Sequence, residues 1–214
     1  MKFTLILIEN SDEVVKRACC MRILLASGSQ RRGEILRQRF GRIDQVALTD
    51  VDETVPRAPI SEQVKQVTSR KAQAVSLDDS YDVTVVADTL VEDPDDEQQA
   101  LGKPSSREQA TAMLLRLRGR RHRVWPATMV FARGEWYSSI ENAIVEIEDF
   151  SDDALIELIE SESWIGKAGG YDMAGAMGQY AQLVEGSEST VLGFTQSSLE
   201  LLEDLQSLFS ISRS

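Results

Sequence analysis

The segment from residue 21 to residue 32 brings together groups that bind anions. Two serines, Ser27 and Ser29, and two arginines, Arg31 and Arg32, directly follow the apolar run of residues 21–26. This order predicts a buried strand that turns into a helix, so that free backbone N–H groups, the helix dipole and two guanidinium groups meet at one place. Such a place would bind phosphate. The same residues also fit an ordinary helix with a serine cap and both arginines in solvent.

A carboxylate follows the β-branched run of residues 83–86. Asp88 stands in Ala-Asp-Thr at the predicted carboxyl end of that strand, where ligands collect in open α/β sheets. It would orient a water or hold a divalent cation there, or else cap the next turn. Lys103 lies in Leu-Gly-Lys-Pro, where a stiff turn between glycine and proline would restrict its conformations. A lysine held in this way suits phosphate binding, and an ordinary surface lysine in a turn is the alternative. Lys71 and Glu53 indicate nothing individually.

Alternating strands and helices must position these groups. Apolar or β-branched runs predict strands, and periodic apolar positions after a capping serine such as Ser61 or Ser105 predict helices, with Ala74 on an inward face. Arg133 and Gly134 predict an antiparallel hairpin turn, so the fold class is α/β with a mixed sheet flanked by helices. The predicted strands cover residues 21–26, 43–48, 83–86, 124–131, 136–147 and 180–184, and residues 89–91 could continue the third of them. The predicted helices cover residues 31–40, 61–77, 105–118, 151–159 and 198–209.

Composition limits the classes of partner. The chain has 214 residues, 42% of them hydrophobic, which suits one domain or two small lobes around a cleft. Its formal net charge of -12 argues against nucleic-acid binding, which needs a strong local basic surface. The arginine-rich residues 116–123 are better explained as a helix C-terminus followed by a strand, since no aromatic residues interleave with them. A small phosphorylated substrate needs only a few placed cations.

The N-terminal residues suggest the cellular setting. No run of about 18 apolar residues predicts a membrane span, and acidic residues follow the apolar residues 3–8 where a signal peptide would have small ones. Cys19 and Cys20 are adjacent, which fits neither a metal knuckle nor a redox pair, so we expect a reducing, cytoplasmic environment. We expect residues 1–20 to be an extension without an assigned role and residues 21–214 to form the motif-bearing domain.

The order of these motifs resembles the Maf family of nucleoside triphosphate pyrophosphatases. Ser-x-Ser-x-Arg-Arg, the Arg-Lys-Ala that contains Lys71, Ala-Asp-Thr, Gly-Lys-Pro and the Lys-Ala-Gly-Gly-Tyr that begins at Lys167 occur in that order. The resemblance runs from about residue 21 to about residue 194. It implies a Maf or ITPase-like fold, in which helices flank a mixed twisted sheet and a cleft separates two lobes.

The resemblance also implies roles for individual residues. Asp88 would be the general base or water-orienting group, and Asp88 with Glu53 would hold a divalent metal, Mg²⁺ or Mn²⁺. Lys71 and Lys103 would neutralise phosphate and complete the catalytic set. The implied substrate-binding residues are Ser27, Ser29, Arg31, Arg32 and Lys167.

The implied reaction cuts a nucleoside triphosphate into a monophosphate and pyrophosphate. Ala-Asp-Thr and Lys-Ala-Gly-Gly-Tyr resemble the branch that takes dTTP, UTP or modified pyrimidine nucleotides, a role compatible with the removal of non-standard nucleotides. Two alternatives stay open: a 7-methyl-GTP pyrophosphatase of the same family, and a nucleotide-binding regulator of cell division with little catalysis. His122 is the only histidine, so a histidine-based triad is not expected. The sequence does not set the oligomeric state, and a homodimer is compatible with it.

At two positions the sequence differs from the residues that the Maf family usually has. Ala174 stands where the family usually has glutamine, and Gln179 is near but out of register. Thr195 stands where the family usually has proline. We expect both departures at the end of the substrate pocket. One lost amide hydrogen bond is worth about 0.5–1.5 kcal/mol, which predicts a weaker preference among bases.

Overall fold

The computed structural model describes residues 21–212, so the expectations for Cys19, Cys20 and residues 1–20 lie outside the described residues. Its strands form one eight-stranded mixed sheet. The order is β2-β1-β3-β5-β7-β8, with β4 also paired to β3 and β6 to β5. The strands are β1 (Ile23–Ala26), β2 (Ile43–Val46), β3 (Val83–Asp93), β4 (Asp96–Leu101), β5 (Arg121–Ala132), β6 (Glu135–Ile140), β7 (Ala143–Ile147) and β8 (Ala181–Glu185).

The two longest strands, β3 and β5, give the sheet its forked shape. They form an antiparallel ribbon from Val83 opposite Ala132 to Val91 opposite Val124. In one half of the ribbon β1 pairs in parallel with β3 and β6 pairs with β5. In the other half β4 pairs with β3 and β7 pairs with β5. Two half-sheets therefore share one ribbon, and Asp88 lies where one half gives way to the other.

Six α-helices cover this sheet within the described range. They are α1 (Gln30–Phe40), α2 (Ile60–Ala74), α3 (Arg107–Leu117), α4 (Asp152–Glu160), α5 (Glu188–Leu192) and α6 (Gln196–Ser212). Ser29, Ser106, Ser151 and Ser187 cap α1, α3, α4 and α5, each accepting a hydrogen bond from a backbone N–H of the first turn. None of these helices is long and apolar enough to cross a bilayer.

Each half-sheet has its own hydrophobic cluster. The first packs β1 and the start of β3 against α1 and α6, with Leu36 and Leu202 fully buried. The second packs the far half of the ribbon, β7, α3 and α4, with Leu114 and Ile147 buried. Apolar runs such as Ile23–Ala26 are buried on both faces, as parallel strands covered by helices usually are. The α/β fold class with a cleft between two lobes is therefore confirmed.

Several predicted element boundaries were wrong for local reasons. The single strand predicted over residues 136–147 is two strands, because Glu141 leaves the sheet and accepts hydrogen bonds from the backbone N–H groups of Gln196 and Ser197 at the start of α6. The polar β4 was missed, since its exposed residues lack an alternating apolar pattern. The cap of α2 is Pro59 rather than Ser61.

Two helix details and one strand position also differ from prediction. Ser106, not Ser105, caps α3. On α2 the buried alanine is Ala72, whereas Ala74 is exposed. Asp88 lies in the middle of β3 rather than at its end, because β3 continues along β5 after its parallel pairing with β1 stops at Val85. The hairpin at residues 133 and 134 is confirmed, and both residues have the positive φ of a type I′ turn.

Candidate active site

A cavity of about 490 Å³ lies between the two hydrophobic clusters, a size common for small-molecule sites. It is lined by the turn after β1, the middle of β3 and the segment of residues 165–173. All nine residues that the sequence pointed to lie on its wall: Ser27, Ser29, Arg31, Arg32, Glu53, Lys71, Asp88, Lys103 and Lys167. The structure thus brings the predicted set together, although the members have different contacts.

The turn between β1 and α1 is held in a fixed shape. Ser29 N–H donates to Ser27 Oγ (3.3 Å), and Ser29 Oγ caps α1. Gln45, from β2, donates through Nε2 to the carbonyl oxygens of Ser27 (2.7 Å) and Ser29 (3.0 Å). This clamp presents the N-terminus of α1 to the cavity, where its positive dipole end favours an anion. Sequence reasoning missed Gln45, because an isolated glutamine on a short strand gives no signal.

Arg32 has a different environment from the one expected. It is only 8% exposed, and its guanidinium already binds protein oxygens. Nε donates to the Gly193 carbonyl (3.0 Å), Nη1 to Ser27 Oγ (3.2 Å) and the Ala87 carbonyl (2.8 Å), and Nη2 to Thr89 Oγ1 (2.7 Å). Gly193 has φ +111, and a Cβ there would lie 2.9 Å from Arg32 Nε, so only glycine allows this approach. Arg32 therefore fastens the anion turn to the strand segment around the predicted catalytic aspartate.

Burial has an electrostatic consequence for this arginine. It lowers the pKa of Arg32 below its ordinary value, while the nearby charge of Asp88 opposes that change. A guanidinium stays protonated under all ordinary conditions, so Arg32 adds a fixed positive charge behind the cavity wall.

Lys71 lies between the two predicted acidic residues. Its Nζ is 2.8 Å from Glu53 Oε1 and 3.2 Å from Asp88 Oδ1. The side chains of Lys71 and Asp88 are 12% and 9% exposed, whereas Glu53 is half exposed. The ammonium therefore holds one buried and one exposed carboxylate on the same side of the cavity.

The acidic pair fits a cation that binds together with substrate. No group of three or more His, Cys, Asp or Glu side chains within residues 21–212 has the geometry of a metal site. Mg²⁺ commonly binds through one or two carboxylates and completes its shell with water and substrate phosphates. Asp88 and Glu53 match that donor set.

Arg70 fixes the loop that carries Glu53. From the last turns of α2, its Nη1 donates to the carbonyl oxygens of Asp52 (3.0 Å) and Thr54 (2.5 Å), on either side of Glu53. Asp52 also forms an ion pair with Arg70. The loop outside the sheet is thereby tied to the helix whose next residue, Lys71, binds the Glu53 carboxylate.

Arg31 and Lys167 both line the cavity and bind the same carboxylate, which sequence reasoning missed. Asp172 Oδ1 lies 2.6 Å from Arg31 Nη2, and Asp172 Oδ2 lies 2.9 Å from Lys167 Nζ. Burial raises the pKa of Asp172, but the hydrogen bond from Lys167 and the charge of Arg31 outweigh it, so that the pKa lies below its ordinary value. Asp172 is therefore ionised at neutral pH and neutralises part of this cationic pair.

Lys103 completes the cationic wall. It lies on an exposed turn, and none of the described carboxylates forms an ion pair with it. The turn is held from below, since Gly169 N–H donates to the Gly102 carbonyl (3.0 Å) and Pro104 is buried. The Gly-Lys-Pro and Lys-Ala-Gly-Gly-Tyr motifs are thus joined directly.

The lining of the cavity reverses the charge of the chain. Five lining side chains are arginine or lysine and two are carboxylates, which gives the lining a formal charge of +3, or +2 when the adjoining Asp172 is included, in a chain of net charge -12. A cavity of this kind attracts polyanions of small size, since its cations converge inside low-dielectric walls.

Comparison of the sequence with known proteins identifies the family of this chain. The sequence pattern described as Maf-like protein matches residues 22–205. The chain belongs to the Maf-like protein family. A dTTP/UTP pyrophosphatase of Ruegeria sp. (strain TM1040) is 32% identical over 174 residues, covering 81% of this chain and 88% of that protein. A dTTP/UTP pyrophosphatase of Bacillus anthracis (strain CDC 684 / NRRL 3495) is 30% identical over 179 residues, covering 83% and 92%. The solved Ham1 protein of Staphylococcus aureus aligns with a TM-score of 0.40 at 18% identity, over 60% of this chain and 72% of that one.

The two departures from the Maf pattern lie away from the cavity wall. Neither Ala174 nor Thr195 lines the cavity. Ala174 is exposed, one residue beyond Met173, which does line it. Thr195 is fully buried, and its N–H donates to Thr128 Oγ1 (3.2 Å), a bond that proline could not make. The expectation that both residues touch the pocket was therefore wrong.

The tyrosine of Lys-Ala-Gly-Gly-Tyr connects the Maf-like cavity with the lone histidine. Tyr171 lines the cavity, and its hydroxyl lies 2.8 Å from His122 Nε2. Burial raises the pKa of Tyr171, so that the phenol stays neutral. His122 is 4% exposed, and burial lowers its pKa from 6.5 to about 4. The ring is therefore neutral at pH 7 and supports Tyr171 without adding charge.

Proposed function

We propose that this chain hydrolyses a nucleoside triphosphate to a monophosphate and pyrophosphate. The observation that carries the proposal is that five cationic side chains and the carboxylates of Asp88 and Glu53 line one cavity, with Lys71 paired to both carboxylates. A triphosphate needs its charge offset before water can attack phosphorus, and the water needs a carboxylate partner. The Maf-like family and relatives named dTTP/UTP pyrophosphatases support the same reaction class.

Asp88 is the group that we assign to the attacking water. Its carboxylate is nearly buried and faces the cavity, and Lys71 fixes its direction through the 3.2 Å ion pair. The water oxygen bonds to the α-phosphorus while the α–β bridging P–O bond breaks, so pyrophosphate leaves. Asp88 takes the proton that the water loses, a contribution typically worth about 10²–10⁴-fold.

The remaining cations divide into two roles. Arg31, Lys103 and Lys167 meet the phosphate oxygens, together with the N–H groups of the turn around Ser27 and Ser29. Arg32 positions the turn after β1 instead of contacting phosphate, because its guanidinium donates four hydrogen bonds to protein oxygens. This differs from the direct phosphate contact that its motif suggested.

A divalent metal fits Asp88 and Glu53 and would enter with the triphosphate. When bound, such a metal offsets phosphate charge and polarises the phosphorus centre. Lys71 keeps the two carboxylates in place, and Arg70 holds the Glu53 loop. Whether Mg²⁺ or Mn²⁺ serves is decided by assay with each ion.

The preferred substrates are dTTP, UTP and modified pyrimidine nucleotides. The motifs around Asp88 and from Lys167 to Tyr171 resemble the pyrimidine branch, and the relatives are named accordingly. Apolar side chains of the cavity lining would contact the base: Val91, Val124, Ile165, Met173 and Val191. An apolar wall excludes a purine base by its size rather than by hydrogen bonding. Exclusion by size alone gives only modest discrimination between bases.

One substrate panel tests the reaction and the base preference separately. Purified protein is incubated with dTTP, UTP, CTP, GTP and 7-methyl-GTP at equal concentration with Mg²⁺ or Mn²⁺, and pyrophosphate and orthophosphate are measured. We expect pyrophosphate with dTTP or UTP leading in kcat/KM. Should 7-methyl-GTP or GTP lead, the pyrimidine assignment is wrong and the reaction class stands. Nucleotide binding without product would favour the alternative, a regulator with little catalysis.

Three statements stay predictions from the sequence: the cytoplasmic location, the absence of nucleic-acid partners and the extension at residues 1–20. A homodimer stays compatible with the sequence. The family match beginning at residue 22 supports a domain that starts close to residue 21.

A further inference from the structure

The carboxylate of Asp172 contacts two of the cations that line the cavity, although Asp172 itself is not part of the lining. Its oxygens lie 2.6 Å from Arg31 Nη2 and 2.9 Å from Lys167 Nζ. The side chains of Asp172, Arg31 and Lys167 are 15%, 18% and 29% exposed, so solvent screens these pairs only in part. Water therefore screens this bridge less than it screens an ordinary surface ion pair.

These three residues belong to different parts of the fold. Arg31 lies in the first turn of α1, which packs with the first hydrophobic cluster. Lys167 and Asp172 flank the short 3₁₀ turn Ala168–Gly170, which packs against the second cluster. The Asp172 bridge therefore joins the two walls of the cleft at the place where phosphate is expected.

We propose that Asp172 is a further determinant of phosphate affinity, an internal counter-anion that occupies Arg31 and Lys167 until substrate phosphate replaces it. This inference rests on the proposed function, in which the same two cations contact the phosphates. In this role Asp172 competes with phosphate for Arg31 and Lys167. The alternative is that its carboxylate orients these two cations for phosphate binding.

The chemistry of the two ligands supports replacement. A carboxylate and a phosphate both offer oxygens that accept charge-assisted hydrogen bonds of the same length from guanidinium and ammonium groups. Phosphate oxygens placed between Arg31 and Lys167 would need the positions that Asp172 now holds. A triphosphate carries several charges and also binds Lys103 and the turn, so it outcompetes one carboxylate.

The same exchange favours departure of the product. Pyrophosphate keeps most of the charge of the triphosphate and would leave slowly from a cavity lined by five arginine and lysine side chains. Asp172 lies beside the cations and can re-form its two ion pairs as pyrophosphate moves out. The carboxylate lowers the affinity for both substrate and product, and it thereby keeps turnover from being limited by release.

Asp172→Asn tests the exchange with little change of shape. The asparagine Oδ1 can still accept the hydrogen bond that Asp172 Oδ1 receives from Ala174 N–H (3.0 Å), so the turn is preserved. Asp79→Asn is the matched control, since it removes one carboxylate from an exposed turn and changes net charge equally. Asp172→Glu keeps the charge and serves as the second variant.

Binding of inorganic pyrophosphate is measured by calorimetry with each protein at fixed ionic strength and Mg²⁺ concentration. We expect Asp172→Asn to bind pyrophosphate about threefold to tenfold more tightly, because it removes a partly screened competitor for two charged donors. KM for the triphosphate should fall in parallel, and kcat should fall as release slows. Asp79→Asn should stay near the parent protein. Asp172→Glu keeps the competing charge and should therefore bind pyrophosphate more weakly than Asp172→Asn.

Two outcomes overturn the proposal. Weaker pyrophosphate binding in Asp172→Asn, with a folded protein and unchanged Asp79→Asn, would mean that Asp172 orients the cations. Unchanged binding would mean that phosphate does not use them. Because the calorimetry needs no turnover, a chain that binds pyrophosphate yet hydrolyses nothing would contradict the proposed function alone.

Discussion

Replacing His122 with glutamine should remove a loss of stability that the parent protein undergoes in mild acid. His122 is 4% exposed, its Nε2 lies 2.8 Å from the Tyr171 hydroxyl, and its Nδ1 has no hydrogen-bond partner among the described residues. Burial lowers its pKa from 6.5 to about 4. The His122 ring therefore becomes protonated below pH 6.5 in the unfolded chain, but only below about pH 4 in the folded chain.

The size of the effect follows from linkage. Stability from the neutral ring is fully present above pH 6.5 and is lost as the pH falls from 6.5 towards 4. With these two pKa values the unfolding free energy drops by about 2 kcal/mol between pH 7 and pH 5, and by about 3 kcal/mol in total. Other groups titrate in this range too, so the difference between parent and variant is the quantity to compare.

Urea unfolding at pH 7 and pH 5 provides the measurement, followed by both tryptophan fluorescence and far-ultraviolet circular dichroism. His122→Gln cannot titrate and should lose about 2 kcal/mol less than the parent over that interval, whatever its stability at pH 7. Tyr171→Phe keeps the titrating ring and should retain the pH dependence. Equal losses in the parent and His122→Gln would refute the reasoning, because His122 would then take up its proton without cost.

The other predictions concern the site and the domain boundary. Asp88→Asn should lower kcat by roughly 10²-fold or more while the variant stays folded, because the amide keeps the shape but cannot take a proton. Near-normal turnover in the folded variant would remove Asp88 from the mechanism. Arg70→Met and Glu53→Gln should each lower kcat/KM, and the double variant should be no worse than Glu53→Gln, since Arg70 acts through the Glu53 loop; additive losses would separate them. Deleting residues 1–20 should leave Tm and kcat/KM unchanged, and a large fall in either would show that the extension contributes to the domain.

Part of the site was predictable because Ser27 and Asp88 follow apolar runs that pair as parallel strands. Ser27 directly follows a strand that is apolar throughout, and Asp88 lies just past the point where β3 stops pairing with β1. Such positions meet at one edge of a parallel pair whatever the rest of the sheet does. The fold class followed from the same alternation of apolar runs and capped helices.

The remaining features depend on contacts that local patterns do not encode. The contact between Asp172 and Arg31 joins residues that are distant in the sequence and packed against different hydrophobic clusters. Gln45 reaches the turn after β1 because β2 pairs with β1. The motif suggested that Arg32 contacts phosphate, but its burial against Gly193 depends on a loop far along the chain. Glu141 likewise breaks a strand in order to cap α6, which no periodicity reveals.

Hydrolysis of dTTP or UTP in water enriched with oxygen-18 tests the central claim most directly. Water that attacks the α-phosphorus beside Asp88 must place one labelled oxygen in the nucleoside monophosphate and none in pyrophosphate. Mass spectrometry of both products should show that distribution, with the two products in equal amounts. Label in pyrophosphate, or a nucleoside diphosphate with labelled orthophosphate, would contradict the account.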